Sequence, residues 1–405
     1  MPGVYVALED FIERAPSRTP PILKYQPLDD SSPLRRFVAL PDDSPLILGA
    51  RRVPAVQCPT SNTSNDVQIY TSVGFSRLSV SSYIDAVRHL KPDIFVGLAD
   101  IPHGVDSYSS KRQETMTDRT SRWMLQQVQA FDDKDTPEPK RPALFAPVLP
   151  LGSEAQRWYF EELTESMLKS IDGLAIFDAT ISDQLPDVLV SLPRLAYTQP
   201  ETPQRLLYEI SQGVDIFTIP FIGSATDAGI ALDFTFPVLV HDCDGSAGAR
   251  ASKSLGLDMW SEEHTTSLTP LSAGCQCYAC TDHHRAYVKH LLGAKEMLGW
   301  VLLQIHNHHV LDRFFDGVRR SIAAGSFETD KLAFEEVYMP ALPAKTGQGP
   351  RVRGYQYKSE GPGEVKRNQP VFRALEGPIS TTQEVHGNPI LDVRDIEGAG
   401  LAKKS

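Results

Sequence analysis

The fold is decided by residues 275–306, which read CQCYACTDHHRAYVKHLLGAKEMLGWVLLQIH. This stretch contains three of the chain's five cysteines in six consecutive positions. They are Cys275, Cys277 and Cys280, in the spacing C-x-C-x-x-C. Three thiols this close together bind one soft or borderline cation, and a zinc tetrahedron then needs a fourth ligand, usually a histidine. The spacing therefore predicts a structural zinc site in which these three cysteines are ligands.

Other interpretations of the cysteines are weaker. Free cysteines often behave as small buried hydrophobes, but the neighbouring Gly274, Gln276 and Thr281 are not typical of a core. A disulfide would leave one thiol over, and nothing in the sequence indicates an oxidising compartment. An inert or redox-active cluster is the remaining alternative. A site filled by four protein ligands has no open position for water, so a metal ion there would stabilise the fold and carry no chemistry.

The residues after the cysteines predict the helix that would bring in the fourth ligand. Apolar residues recur at helical spacing between Arg285 and Asn307, so this range is predicted to be one amphipathic helix. The positions that form its apolar stripe are Leu291, Ala294, Leu298, Val301 and Ile305. His306 lies near the end of this helix. Other histidines lie nearby, and the spacing alone does not choose among them: His283, His284, His290, His308 and His309.

Length and composition are those of an ordinary globular chain. It has 405 residues, of which 41% are hydrophobic and 22% charged, enough for one large domain or two smaller ones. No apolar run approaches the length of a membrane span, and residues 1–20 carry Glu9, Asp10 and Glu13 where a signal peptide needs an apolar region. We therefore expect a soluble protein of a reducing compartment, with Cys58 and Cys243 as free thiols. The formal charge of −11 argues against a surface that binds nucleic acid throughout.

Most of the chain between residues 79 and 219 alternates short apolar runs with amphipathic stretches. The predicted strands are Asp93–Leu98, Leu144–Leu149, Gly173–Phe177, Arg194–Tyr197 and Asp215–Ile219, and the predicted helices are Ser79–Leu90, Thr117–Phe131, Ser153–Ser170 and Pro203–Gln212. Unbroken apolar strands between amphipathic helices are typical of a parallel α/β sheet. The number of units favours a closed (β/α)8 TIM-like barrel over a doubly wound sheet.

The two ends of the chain are less regular. A short helix is predicted at residues 7–14, hairpins between 37 and 72, a strand at 230–240, a loop at 242–269 and a further helix at 310–324. The predicted domains are a barrel with N-terminal hairpins (1–270), a zinc-binding subdomain with closing helices (271–330) and a mostly disordered tail (331–405). Within the tail, residues 345–373 carry seven Lys or Arg residues, with Tyr355 and Tyr357 between them. This is a solvated tail or, alternatively, a weak RNA-contacting arm.

The chain resembles the tRNA-guanine transglycosylase family over about residues 35 to 325. The resemblance is carried by the cysteine motif, by residues 283–292, which follow an HxRAYxxHLL-like pattern, and by the His-Asn pair His306–Asn307, 26 positions after Cys280 (306 − 280 = 26). It implies a (β/α)8 barrel with one structural Zn²⁺ ion per subunit. It also implies that His306 is the fourth ligand, beside Cys275, Cys277 and Cys280.

Enzymes of this family exchange a guanine base in tRNA for queuine or its precursor by double displacement, and an aspartate is the nucleophile. The matching position in this sequence is Thr218. The two arginine positions that engage RNA are Ser224 and Asp227, which have lost the charge that holds phosphate. A glycine pair that cradles the base is replaced in the run that contains Phe177 and Asp178. The stretch with the proton-handling aspartate has no clear match.

This pattern of loss resembles the non-catalytic subunits of the family in eukaryotes and implies that the chain has no catalytic residues of its own. It would pair with a catalytic homologue as a heterodimer, and the complex would insert queuine at the wobble position of tRNAs with GUN anticodons. The zinc-binding subdomain and its long helix would lie at the subunit interface. The resemblance also implies a cytoplasmic protein, with peripheral association with the mitochondrial outer membrane and no integral membrane segment.

Two alternatives stay open at the level of sequence. The chain would be a self-sufficient transglycosylase if a carboxylate elsewhere had taken over, and the candidates are Asp215, Asp178 and Asp100, the last close to the family's base-reading aspartate. It would be a zinc-stabilised RNA-binding barrel if the basic tail carried the contact with RNA.

Overall fold

The computed structural model describes residues 3–12, 19–28, 31–58, 61–71, 74–102, 107–132, 141–238 and 252–350. All of these residues belong to one compact unit, within Met1–Gly363. The predictions for Cys243 and for residues 351–405 lie outside the described residues.

Eleven short strands lie in the described part of the chain. In chain order they are β1 (Val4–Ala7), β2 (Leu46–Gly49), β3 (Asp66–Thr71), β4 (Gly74–Ser79), β5 (Ile94–Val96), β6 (Ala143–Val148), β7 (Gly173–Ile176), β8 (Arg194–Ala196), β9 (Ile216–Phe217), β10 (Ile230–Leu232) and β11 (Gly256–Asp258).

Eleven α-helices accompany them in the same described ranges. They are α1 (Pro33–Phe37), α2 (Val80–Leu90), α3 (Ser110–Phe131), α4 (Arg157–Glu162), α5 (Asp187–Val190), α6 (Pro203–Ser211), α7 (Phe221–Ala228), α8 (Tyr278–Asp282), α9 (Arg285–Gly293), α10 (Met297–Ala324) and α11 (Phe327–Val337). Shorter 3₁₀ turns lie at Leu8–Phe11, Pro21–Leu23, Ser153–Gln156, Leu168–Ser170, Ala179–Gln184 and Glu262–His264, and a π-helical turn lies at Leu163–Met167.

Seven of the strands form one parallel sheet in the order β1-β2-β5-β6-β7-β8-β9. Its inner face buries an apolar layer that contains Ile47, Val96, Phe145 and Leu195, and its outer face packs against the helices in a larger core. The sheet curls, because Tyr5 of β1 meets Tyr197, just after β8, with ring centroids 5.6 Å apart. The predicted parallel α/β sheet with intervening helices is thus confirmed, in the form of a curled half-barrel.

The predicted closure into a full barrel is not confirmed. Within the described ranges no strand pairing joins β1 to β9. The strand predicted at 230–240 is shorter, β10, and pairs antiparallel with β11, with Ala231 opposite Leu257. β11 lies inside the range predicted to be a loop, because its three residues are too few to give a recognisable alternation.

Two predictions near the N-terminus were wrong. A helix was predicted at 7–14, but residues 4–7 form a parallel strand of the main sheet, and within the described residues 7–12 only Leu8–Phe11 make a helical turn. Of the predicted hairpin strands, only β3 belongs to a hairpin, in which it pairs with β4. β2 was predicted to be a hairpin strand, but it is buried in the main sheet between β1 and β5, so its short apolar run was misassigned.

The single helix predicted from Arg285 to Asn307 was also wrong. The helix is interrupted after α9, where Lys295 adopts a left-handed conformation with φ +58°. α10 then runs without interruption to Ala324. The break changes the phase of the helix. Of the predicted stripe, Leu298, Val301 and Ile305 are therefore 43%, 47% and 38% exposed. The buried side of α10 contains Trp300, Leu302, Leu303, His306, Asn307, Val310 and Phe314 instead.

Candidate functional site

The four predicted metal ligands come together at one point. One ligand atom from each of Cys275, Cys277, Cys280 and His306 lies within 4.8 Å of all the others. The three Sγ atoms lie 3.6, 3.6 and 3.4 Å from Nδ1 of His306. In a tetrahedral site with Zn–S of about 2.3 Å and Zn–N of about 2.1 Å, sulfur and nitrogen are about 3.6 Å apart. Both the donor set and its spacing therefore fit one tetrahedral metal ion.

The cysteines are held by a turn that leads into a short helix. Gly274 has a φ of +74°, which suits glycine, and it reverses the chain just before Cys275. Cys277 is the N-cap of α8, and its carbonyl accepts hydrogen bonds from the backbone N–H groups of Cys280 and Thr281. The first turn of α8 thus places Cys280 three residues after Cys277 on the same side.

His306 is oriented from its other ring nitrogen. Its side chain is fully buried on α10, and Nε2 donates to the carbonyl of Leu232 at 2.8 Å. A ligating histidine is commonly fixed in this way, because the outer hydrogen bond sets the tautomer and leaves the inner nitrogen free to bind. This contact selects His306 among the neighbouring histidines, which the spacing alone did not.

The charge state of His306 depends on the thiols. Burial lowers the pKa of the imidazole most, but the hydrogen bonds with Cys275 and Cys280, the charge of Cys280 and the hydrogen bond with Leu232 together outweigh burial and raise the pKa to about 9. A coordinating imidazole must be neutral, so a cation entering this cluster displaces that proton.

The residue after His306 has a structural task that the sequence did not reveal. Asn307 is fully buried. Its Oδ1 accepts from the N–H of Leu232 at 2.8 Å, and its Nδ2 donates to Thr226 Oγ1 and to the carbonyl of Ile230, both at 3.0 Å. The His-Asn pair thus ties α10 to β10 and α7.

The candidate carboxylates are committed to structural contacts. Asp100 is fully buried and accepts from Arg112 at 2.7 Å, Arg119 at 3.0 Å and Asn62 at 2.8 Å. Two cations and an amide thus hold the oxygens of Asp100. Asp178 accepts hydrogen bonds from the backbone N–H and the hydroxyl of Thr180.

The other predicted positions also make structural contacts. Asp215 precedes β9 and accepts from the backbone N–H of Arg194 at 2.9 Å, so it lies at the amino end of the strands. Ligands of parallel α/β sheets bind at the carboxyl end. Thr218 follows β9 and donates its hydroxyl proton to the carbonyl of Ala196 at 3.0 Å. Ser224 and Asp227 lie on the exposed side of α7.

Aromatic rings fill the space at the carboxyl ends of the strands. Phe177 stacks on Tyr197 with centroids 4.9 Å apart, and the ring of Tyr5 packs against Tyr197 edge to face. A cavity of only about 60 Å³ remains beside them. The bulky ring that the sequence places at Phe177 is therefore one wall of this small cavity.

The chain matches the sequence profile described as queuine tRNA-ribosyltransferase over residues 23–340. This match covers well over half of the chain. The chain belongs to the queuine tRNA-ribosyltransferase family.

Relatives within the queuine tRNA-ribosyltransferase family agree on one subunit type. A Schizosaccharomyces pombe protein is 35% identical over 380 residues, which are 94% of this chain and 82% of the relative. A Drosophila grimshawi protein is 31% identical over 324 residues, 74% of this chain and 71% of the relative. A Xenopus tropicalis protein is 25% identical over 330 residues, 72% of this chain and 77% of the relative. All three are named queuine tRNA-ribosyltransferase accessory subunit 2.

The resemblance assigns Thr218, Ser224 and Asp227 to one family site and the three cysteines with His306 to another, and these assignments stay predictions. In the described part of the chain, no helix is both long and apolar enough to cross a membrane.

Proposed function

We propose that this chain is the non-catalytic subunit of a eukaryotic queuine tRNA-ribosyltransferase. A catalytic partner subunit would exchange guanine for queuine at the wobble position of tRNAs with GUN anticodons, and this chain would support it as the second half of a heterodimer. One observation carries the proposal. The metal cluster is complete, whereas the carboxyl ends of the strands hold packed aromatic rings and no free carboxylate among the described residues. The names of the relatives support the same role.

The metal ion in this proposal is one structural Zn²⁺ per subunit, held by Cys275, Cys277, Cys280 and His306. The ion fixes α8 and its turn against α10, because His306 lies on α10 and the cysteines lie around α8. The half-barrel belongs to a (β/α)8 barrel formed by residues 1–270, followed by the zinc-binding subdomain at 271–330 and a tail at 331–405. The protein is cytoplasmic, with peripheral attachment to the mitochondrial outer membrane.

The surface that meets the catalytic subunit is the exposed apolar face of α10. Met297, Leu298, Val301 and Ile305 are 56%, 43%, 47% and 38% exposed. Their spacing along the helix places these side chains on one side of it. His306 is adjacent in sequence and points to the other side, into the metal cluster. Metal binding therefore holds the helix whose outer face contacts the partner.

A three-way exchange assay tests the function. Guanine exchange into a GUN-anticodon tRNA is measured with this chain alone, with a catalytic homologue alone and with an equimolar mixture. Activity in the mixture only, with elution at heterodimer mass, is the expected result. Activity from this chain alone would contradict it and favour the self-sufficient enzyme. In that case Asp215→Asn is the next variant to measure, because Asp215 is the carboxylate nearest in sequence to Thr218.

A further inference from the structure

The metal cluster is built from two separate segments of the chain. Cys275, Cys277 and Cys280 lie around α8, and His306 lies on α10. All four ligand atoms must lie close to tetrahedral positions for one ion to bind tightly. The contacts that hold the two segments at a fixed distance therefore bear on the affinity for the metal.

Two consecutive residues at the end of β10 contact both segments. The carbonyl of Leu232 accepts from Nε2 of His306 at 2.8 Å. The next residue, Asp233, contacts the cysteine segment, because its Oδ1 accepts from the hydroxyl of Ser272 at 2.5 Å. The backbone N–H of Asp233 donates in turn to the carbonyl of Leu255 at 2.9 Å. The end of β10 is thus a common attachment point for the two halves of the cluster.

Ser272 is the first residue of the turn that leads to Cys275. The backbone N–H of Cys275 donates to the carbonyl of Ser272 at 3.3 Å. Just before the turn, Arg285 donates from Nε to the carbonyl of Pro270 at 2.8 Å and from Nη2 to that of Leu271 at 3.2 Å. Arg285 thus holds the main chain where it enters the turn, and the hydroxyl of Ser272 holds the turn itself.

Cys275 is the ligand that depends most on this turn. Cys277 is the N-cap of α8 and Cys280 lies within α8, so helical geometry fixes the spacing of these two. Cys275 precedes the helix and is partly exposed. The position of its thiol is therefore set by the turn that begins at Ser272.

We propose that Asp233 is a positioning residue of the metal site, which holds Ser272 and thereby places the Cys275 thiol at coordination distance from the ion. The carboxylate acceptor makes this hydrogen bond charge-assisted, which is about twice as strong as a neutral one. Hydrogen bonds behind the ligands commonly tune metal affinity in this way. The inference rests on the metal ion of the proposed function and is independent of the role of the chain as a subunit.

The first test is the zinc affinity of the full-length protein, measured by competition with a chromophoric chelator. Ser272→Ala and Asp233→Ala each remove the hydrogen bond and should weaken zinc binding about tenfold to a hundredfold. The double variant should bind zinc about as weakly as either single variant, because both substitutions remove the same bond. Asp233→Asn keeps an oxygen acceptor for the hydroxyl of Ser272 and should retain most of the affinity.

The second test identifies the ligand that is released. The zinc-loaded proteins are treated with iodoacetamide, and peptide mass spectrometry at low conversion gives the rate of alkylation of each cysteine. In the Ser272→Ala protein, Cys275 should be alkylated faster than in the unsubstituted protein, ahead of Cys277 and Cys280. An equal acceleration at all three cysteines would indicate a general loosening of the fold and would overturn the assignment.

Ser321→Ala is the matched control. The hydroxyl of Ser321 donates to Asp330 and links α10 to α11, so the substitution removes a hydrogen bond of the same kind without a link to the metal cluster. Its zinc affinity should be unchanged. An equal loss of affinity in Ser321→Ala, or no loss in Ser272→Ala and Asp233→Ala, would overturn the role of Asp233. Absence of zinc binding by the unsubstituted protein would overturn the metal site itself.

Discussion

At the scale of single residues, His306 and Asn307 are neighbours with separate tasks. His306 turns Nδ1 to the three thiols while Nε2 holds the carbonyl of Leu232, and Asn307 holds the N–H of the same residue. Leu232 in β10 is thus bound through both of its backbone groups by consecutive side chains of α10. The metal cluster and the junction between α10 and β10 are for this reason one structural unit.

Cys277→Ser should remove the metal. A serine hydroxyl is a poor substitute for a thiolate, and the three remaining ligands leave the tetrahedron incomplete. We expect the zinc content to fall from one ion per chain to none, measured by inductively coupled plasma mass spectrometry. Metal-binding energy in such sites is folding energy, so heterodimer formation should be lost as well.

Cys58→Ser is the matched control for this substitution. Cys58 is partly buried, accepts a hydrogen bond from Arg51 and is not a member of the metal cluster. The zinc content of the Cys58→Ser protein should therefore stay at one ion per chain. A Cys277→Ser protein that kept both its zinc and its heterodimer would refute the structural role of the ion.

Asn307→Ala should destabilise the fold strongly. The substitution leaves the N–H of Leu232, the carbonyl of Ile230 and the hydroxyl of Thr226 without their side-chain partner in a buried place. At about 1–3 kcal/mol for each buried group left unpaired, we expect the free energy of unfolding to fall by about 3–5 kcal/mol. Urea denaturation measures it. His308→Ala, at the next and exposed position, should change it by less than about 0.5 kcal/mol.

Some residues of the candidate site could be predicted from the sequence, and others could not. The three cysteines were predictable because a dense motif needs no knowledge of the fold. His306 was selected among nearby histidines only through the family resemblance, because the choice depends on which ring faces the thiols in space. The role of Asn307 was not predictable, since its three partners lie on β10 and α7, between 75 and 81 positions away in sequence.

At the scale of elements, the break between α9 and α10 decides which faces are buried. Lys295 takes the left-handed conformation there, and its N–H bonds to the carbonyl of Leu292 as α9 ends. This conformation costs a residue with a Cβ about 1–2 kcal/mol. Hydrophobic periodicity across residues 285–307 looked continuous because it cannot detect a change of phase at one strained residue.

Lys295→Gly should therefore stabilise the protein. Glycine adopts the left-handed conformation without steric cost but loses more entropy on folding, so we expect a gain of about 0.5–1 kcal/mol in unfolding free energy. His290→Gly is the matched control. It lies exposed within α9, where glycine should cost about 1 kcal/mol relative to a good helix former. Urea denaturation of both variants is the measurement, and a loss of stability in Lys295→Gly would mean that the break is not strained.

Val301→Glu tests the outer face of α10 as the contact with the catalytic subunit. Val301 is 47% exposed, so the chain by itself should fold and bind zinc normally. A carboxylate buried in an apolar interface should raise the heterodimer dissociation constant at least about thirtyfold, which corresponds to about 2 kcal/mol.

The control for this variant is Leu332→Glu. Leu332 is an equally apolar residue of α11 and is 58% exposed, but it lies outside the proposed contact face. Analytical ultracentrifugation of each variant with the catalytic subunit gives the dissociation constants. An equal effect of both substitutions would remove α10 as the specific contact.

At the scale of the whole molecule, the alternation of strands and helices predicted the parallel sheet but not its edges. Strands such as β7 are buried on both faces and so read as unbroken apolar runs. β2 was misassigned because a four-residue strand among prolines and acidic residues looks the same as a hairpin strand, and β1 was not predicted to be a strand. Whether a sheet closes depends on pairing between its first and last strands, which no local pattern reports.

Removal of residues 351–405 separates the subunit role from the RNA-binding alternative. The metal cluster and the paired strands lie within residues 3–350, so a chain ending at Pro350 should keep its zinc and its thermal stability. The removed part carries six of the seven Lys and Arg residues of 345–373. If all six neutralised phosphates, the slope of log K against log salt for tRNA binding would become shallower by about 5. We expect instead that the heterodimer with the truncated chain binds tRNA with unchanged affinity and salt slope in filter-binding assays between low and physiological salt. A shallower slope together with weaker binding would place the RNA contact in the tail.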